Sequence, residues 1–145
     1  MTPTRILPDL QCSLMCEDVR QEATGNFFLL GIFDIVRVPH VPIMAPKLSI
    51  FTRWTSGLGN FTECVRLLAP DQSTVLRKSE VKFQMRDPNL TATTVTMFGN
   101  VEFAAPGPHY IEVLVDDVMK VRYPINIVVV PPPAGAQGQP QPPAQ

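Results

Sequence analysis

The sequence has little charge and no long apolar run, and each shortage excludes a class of protein. Charged residues make up 17% of the 145 residues, and the formal net charge is −1. This balance provides no basic surface for nucleic acid or for an anionic membrane. No stretch of about 18 consecutive apolar residues occurs, so a transmembrane helix is not expected. We therefore expect neither a nucleic-acid partner nor a membrane partner.

Cysteine and histidine are also scarce, which argues against a metal site or a disulfide framework. Cys12, Cys16 and Cys64 are an odd number and form no CxxC motif. In an extended strand the first two would stand roughly 13 Å apart, too far for a disulfide. We predict three buried, reduced thiols, with a bridge from Cys64 to one of the others as the alternative. No metal ligand and no cofactor is expected.

The two ends of the chain differ in composition from the middle. The opening residues, MTPTRILPDLQ, hold no apolar segment and do not resemble a signal peptide, so we expect a cytoplasmic protein. Residues 1–9 are predicted to be a loose lead-in, and 10–130 a single domain. Residues 131–145 have no charge, no aromatic residue and no aliphatic residue larger than alanine, which predicts a disordered tail. Its prolines favour an extended backbone that a partner could bind.

Within 10–130, apolar and polar residues alternate with period two, which predicts strands. The longest apolar run spans 26–38, and we predict it to be the central core strand. Its inward residues would be Phe28, Leu30 and Ile32, or Phe27, Leu29 and Phe33 if Gly31 carries a bulge. The proline-rich segment 38–47 is predicted to cross between sheets. The pattern favours an all-β, Ig-like antiparallel β-sandwich with little helix.

Several motifs resemble those of a known family. They are Met15-Cys16-Glu17-Asp18, Gly25, Leu30-Gly31-Ile32-Phe33-Asp34, the proline-rich stretch ending at Lys47-Leu48, and Pro106-Gly107 followed by Tyr110 and Leu114-Val115-Asp116. Over about 10–130 the chain is similar to a bacterial family of small uncharacterised proteins, a domain of unknown function. The resemblance implies a β-sandwich in a bacterial cytoplasm and transfers no activity.

No arrangement of residues predicts catalysis. His40 and His109 each adjoin proline in predicted loops, where a histidine usually faces solvent. Ser56 lies in SGLG, which lacks the strand–turn–helix setting of a nucleophile elbow. Asp116 and Asp117 are predicted to form a two-residue turn rather than a cation site. We expect a protein that is not an enzyme, with no catalytic residues.

Three residues remain as a candidate binding surface: Asp34, Arg37 and Trp54. The first two are the only charges in the long apolar run, and they face outward, satisfy each other or mark the floor of a binding surface. Trp54, with Phe51 and Tyr123, would supply the aromatic platform of a sugar site. We expect a non-catalytic module that binds another protein. The alternatives are a small-ligand or carbohydrate-binding sandwich and, third, an enzyme of unfamiliar type.

Overall fold

The computed structural model describes residues 4–131, and these form nine strands in two sheets. No helix occurs among them, and so none that is long and apolar enough to cross a membrane. The prediction of an all-β chain with little helix is confirmed. The strands are β1 (Asp9–Gln21), β2 (Phe27–Ile32), β3 (Ile35–Val38), β4 (Ile43–Thr55), β5 (Gly59–Leu68), β6 (Val75–Met85), β7 (Ala92–Phe103), β8 (Gly107–Val115) and β9 (Val118–Val129).

The two sheets share one hydrophobic core. The four-stranded sheet has the order β2-β1-β4-β7, and the five-stranded sheet has the order β3-β9-β8-β5-β6. Alternate residues face inward on the strands that build this core, as the period-two pattern predicts. On β4 these include Ile50 and Trp54, and on β5 they include Val65 and Leu67. Burial of these side chains between the sheets is the main contribution to stability.

All strand pairs are antiparallel except one. β3 runs parallel to β9, with Ile35 opposite Asn126 and Val38 opposite Val129. Parallel neighbours cannot be joined by a tight hairpin. β3 reaches this position because the chain arrives from the other sheet, directly after β2. The segment after β3 then returns to the four-stranded sheet at β4, which confirms the predicted crossing within 38–47.

The prediction that 26–38 is one central core strand is wrong. The run is divided into β2 and β3, which are edge strands of different sheets. The exposed fractions of Phe28, Leu30 and Ile32 are 51%, 41% and 57%. Gly31 interrupts the run with a φ of +67°, a conformation that residues with a Cβ rarely adopt. A Cβ at this position would also lie 2.7 Å from the Glu17 side chain.

The hairpin formed by β1 and β2 folds back across the four-stranded sheet. Phe27 pairs with Gln21, whereas Phe51 pairs with Leu14 on the same strand β1. In a straight strand these positions would be about 23 Å apart. The rings of Phe27 and Phe51 are nevertheless in edge contact, with centroids 5.5 Å apart. Phe51, which lies outside the main core, is thereby only 6% exposed.

Other predictions concern the two ends of the chain and the turn between β8 and β9. Ile6 pairs with Leu58 as an isolated bridge, before β1 begins at Asp9. The predicted turn at Asp116 and Asp117 is confirmed, and both residues have positive φ, as a type I′ turn requires. The predicted tail is 131–145, and all of it except residue 131 lies outside the described residues.

The burial pattern predicts that two alanine substitutions lower the free energy of unfolding by unequal amounts. Ile50→Ala should lower the free energy of unfolding by roughly 2–5 kcal/mol, because it opens a cavity in the shared core. Leu30→Ala should cost less than about 1 kcal/mol, because that side chain is already largely in solvent. Chemical denaturation of the two variants measures both. Equal losses would contradict the placement of β2 at the edge.

Candidate functional site

The crossover between β2 and β3 is anchored to both sheets. The amide of Phe33 donates to the carbonyl of Met15 in the four-stranded sheet, at 3.1 Å. The carbonyl of Asp34 accepts from the amide of Asn126 in the five-stranded sheet, at 2.8 Å. Phe33 packs its ring against the core. A groove opens on each side of this short bridge.

The first groove lies between β3 and the beginning of β4. Its volume is about 480 Å³, and Phe33, Val36, Ala45 and Leu48 supply apolar surface. β1 pairs with β4 only as far as Cys16 opposite Ser49, so the earlier part of β4 has β7 as its one ladder partner. The groove occupies the space that β1 leaves. Charged residues at its rim are Glu17, Arg37 and Lys47.

Lys47 is held in place by a neighbouring carboxylate. Its Nζ lies 2.8 Å from Asp18 Oδ1, and Arg20 Nε lies 3.1 Å from Asp18 Oδ2. The hydrogen bonds from Lys47 and then Arg20 lower the pKa of Asp18 to about 2. Arg37 differs from Lys47, because no carboxylate within residues 4–131 pairs with it, and its charge is free at this rim.

The second groove lies between β1 and β9. Its volume is about 440 Å³, and its lining includes Met15, Ile32, Phe33 and Val121. Tyr123 closes one side, with its hydroxyl 3.1 Å from Ser13 Oγ. Burial raises the pKa of Tyr123 to about 12, so this hydroxyl stays protonated at neutral pH. The carboxylate at this groove is that of Asp34.

The crossover separates the two charged candidates predicted from the sequence. Asp34 lines the second groove and Arg37 the first, and both residues are exposed. Within residues 4–131 no ion pair joins them. Both side chains face outward, which is one of the arrangements that the sequence left open. Each charge is available to a partner at the rim of an apolar groove.

The inclusion of Trp54 in a binding surface is wrong. Its exposed fraction is 0%, because β4 turns it into the core, where it stacks on Phe83. Phe51 is buried as well, and Tyr123 is only partly exposed. The aromatic platform expected for a carbohydrate site is therefore inside the protein.

The buried glutamate Glu63 was not among the residues singled out from the sequence. Glu63 on β5 accepts hydrogen bonds from Trp54 Nε1 at 2.6 Å and from Thr94 Oγ1 at 2.6 and 2.8 Å. Burial raises its pKa, and the bonds from Thr94 and Trp54 partly oppose this. The carboxyl group thus joins the five-stranded sheet to the four-stranded sheet. The alternation that places Glu63 on one face with Phe61, Val65 and Leu67 was a sufficient signal.

A second buried glutamate lies on the opposite face of the same sheet. Glu112 on β8 stands in register between Arg66 on β5 and Arg122 on β9. Arg66 Nη2 lies 2.5 Å from one carboxylate oxygen, and Arg122 Nε lies 2.8 Å from the other. The two guanidinium groups compensate the charge of this buried carboxylate. The sequence separates the three residues by up to 56 positions, so pairing was not visible.

The histidine and cysteine predictions need correction. His109 lies in β8 and is 1% exposed, because its ring packs edge-on against Phe103, at 5.0 Å between centroids. Burial lowers its pKa, and its Nδ1 lies 3.1 Å from the carbonyl oxygen of Gly107.

All three cysteines are unpaired, but only Cys16 is fully buried. Cys64 alternates with core residues and lies on the outer face of β5, which leaves it partly exposed.

The buried carboxyl of Glu63 predicts an unusual dependence of stability on pH. The pKa of Glu63 is raised on folding, so the unfolded chain loses this proton at a lower pH than the folded protein does. The free energy of unfolding therefore falls as pH rises from the pKa of the unfolded state toward that of the folded state. Glu63→Gln retains the acceptor for Trp54 and a donor for Thr94 without the charge. The variant should therefore gain stability over the native protein as pH rises above about 4.5, the ordinary pKa of a glutamate.

Two further variants complete the measurement. Glu63→Ala should lose about 1–3 kcal/mol, because it leaves the Trp54 and Thr94 donors without a partner. Glu80→Gln, at an exposed position on β6, should change stability by less than about 0.5 kcal/mol at every pH. Urea denaturation from pH 4 to pH 8 would test all three. A native protein that gains more stability with pH than Glu63→Gln would contradict the assignment.

Comparison with known proteins gives a family and no activity. No curated protein matches the sequence. A family model described as a family of unknown function (DUF6941) matches residues 11–128. The match covers both sheets, the crossover and both grooves, which agrees with the resemblance found in the sequence. The chain belongs to this family of unknown function, DUF6941.

Proposed function

We propose that the chain is a non-catalytic interaction module that binds another protein through the two grooves beside the Phe33–Asp34 crossover. One observation carries the proposal. Asp34 and Arg37 are three residues apart with opposite charges, yet each lies on the rim of its own apolar groove. Apolar surface with a few oriented charges is the composition of a protein interface, in which burial gives affinity and charge gives specificity.

We further propose that the two sheets form an Ig-like sandwich, antiparallel except for the β3–β9 pair, in a bacterial cytoplasmic protein. Support comes from the shared core and from the connections after β4, β6 and β7, each of which passes from one sheet to the other. Such connections are typical of Greek-key sandwiches. Many Ig domains have a tyrosine corner, in which the hydroxyl of a tyrosine near the start of a late strand bonds to the backbone. Tyr110 near the start of β8 differs, since its hydroxyl lies 3.4 Å from the Gln72 side chain.

The arrangement of the two histidines supports a non-catalytic role. His109 is enclosed by Phe103 and the Gly107 carbonyl, so its ring is not directed at either groove. His40 lies in the exposed loop between β3 and β4. Neither residue forms part of the groove linings, where a general base would have to stand.

A small-ligand site is the second candidate. The groove volumes of about 480 and 440 Å³ lie within the range of small-molecule pockets, which is about 300–1,000 Å³. A carbohydrate ligand is less well supported, because Trp54 and Phe51 are buried. The small-ligand candidate predicts that a bound molecule accompanies the purified chain.

Site-specific photocrosslinking separates these functions. A photoreactive amino acid at Ile35 in the first groove or at Leu14 in the second should capture the same protein from cells, because both grooves border one crossover and both charges remain in place. The same amino acid at Lys82, exposed on the distant strand β6, should not capture it. Identical adducts from all three positions, or none from the grooves, would contradict the proposal. Native mass spectrometry that shows a bound small molecule would favour the second candidate.

A further inference from the structure

The free edges of the two sheets differ in how they are protected. Exposed strand edges attract other strands, and proteins commonly block them with charged residues or proline. β6 carries Arg77, Lys78, Glu80 and Lys82, and β3 carries Arg37. β2, with the sequence FFLLGI, has neither a charged residue nor proline. Among the edge strands in the described part of the chain, β2 alone has no charge.

The other largely uncharged edge strand, β7, is covered from the opposite sheet. Arg77 on β6 donates from Nη1 to the carbonyl of Gly99 at 2.6 Å. Its guanidinium also lies over the ring of Phe98, at 5.5 Å from the centroid. A backbone acceptor of β7 is thereby satisfied, and the two sheets are closed along that side. No corresponding side chain bonds to the backbone of β2 within residues 4–131.

We propose that β2 is a self-association edge, at which β2 of a second copy of this chain pairs antiparallel and joins the two four-stranded sheets into one. The surface is formed by Phe28, Leu30 and Ile32, which are exposed in the single chain. Large apolar side chains along a free strand edge are the usual mark of an interface. The inference stands independently of the proposed function of the grooves.

The backbone geometry identifies the groups that would pair. The amide of Glu22 donates to the carbonyl of Asn26 at 2.8 Å, so this pair is hydrogen-bonded. Bonded and non-bonded pairs alternate along an antiparallel ladder, which places Leu29 opposite Val19 in a non-bonded pair. The amide and carbonyl of Leu29 therefore point away from β1, toward the free edge. There they are available to a neighbouring strand.

The absence of charge on β2 is the reason for a second copy rather than a different protein. On β1, Arg20 stands opposite Phe28 and Asp18 stands opposite Leu30, so a partner strand with charges of one sign would meet a like charge at one of these positions. Antiparallel pairing of β2 with itself, centred on Leu29, brings Phe28 of one copy beside Leu30 of the other and opposes no like charges. Such an interface is isologous, so it closes after two copies and leaves no further free edge at β2.

Sedimentation velocity over a wide range of concentration, under reducing conditions, tests the proposal. The full chain should dimerise reversibly. Leu30→Lys and Phe28→Lys place a charge on the edge and should raise the dimer dissociation constant at least about tenfold. Met97→Lys is the control, because Met97 is 61% exposed on β7, away from the β2 edge, and its variant should dimerise as the native chain does.

Amide hydrogen exchange provides an independent readout of backbone pairing. The Leu29 amide should exchange more slowly as the concentration rises, whereas the amide of Arg37 on β3 should not change. Fluorescence of the buried Trp54 reports whether each variant is folded. A native chain that remains monomeric throughout would overturn the proposal, as would a dimer that neither lysine weakens. Equal protection of Leu29 and Arg37, or of neither, would also overturn it.

Discussion

The architecture depends on the passage of the chain from one sheet to the other at Phe33 and Asp34. Two backbone hydrogen bonds hold this passage, one to Met15 in the four-stranded sheet and one to Asn126 in the five-stranded sheet, so the same short segment is fixed to both sheets. The preceding strand is left as an edge of one sheet, and the following strand is left as an edge of the other. Both grooves exist because the bridge occupies only the middle of the gap between the sheets.

Two buried glutamates on the five-stranded sheet show how the same residue type meets different demands. Glu63 faces the other sheet and has only neutral donors, so its ionisation opposes folding. Glu112 faces the other way and lies between two arginines, which compensate its charge. The first ties the sheets together through hydrogen bonds, and the second ties three strands of one sheet together through charge.

The surfaces proposed for binding follow from the same passage of the chain. The first groove opens where β1 leaves β4 to continue with β2, and this departure also exposes the edge of β2. A partner in the grooves and a second copy at the edge would therefore contact neighbouring surfaces. Ile32 belongs to both regions, since it lies on the β2 edge and lines the second groove.

The sequence by itself determined the class of the fold, because period-two alternation follows directly from the geometry of a strand. The turn at Asp116 and Asp117 and the crossing within 38–47 were equally local, since turn residues and proline act on their own backbone. The exposed charges Asp34 and Arg37 could also be selected, because they interrupt an apolar run.

Only the tertiary structure decided which surface each apolar residue covers. A run such as 26–38 has the same composition whether it fills a core or passes along two edges, and the φ of Gly31 and the contact of Phe27 with Phe51 arise from distant parts of the chain. The burial of Trp54 and the partners of Glu63 and Glu112 were likewise fixed by strand order, which no local pattern encodes.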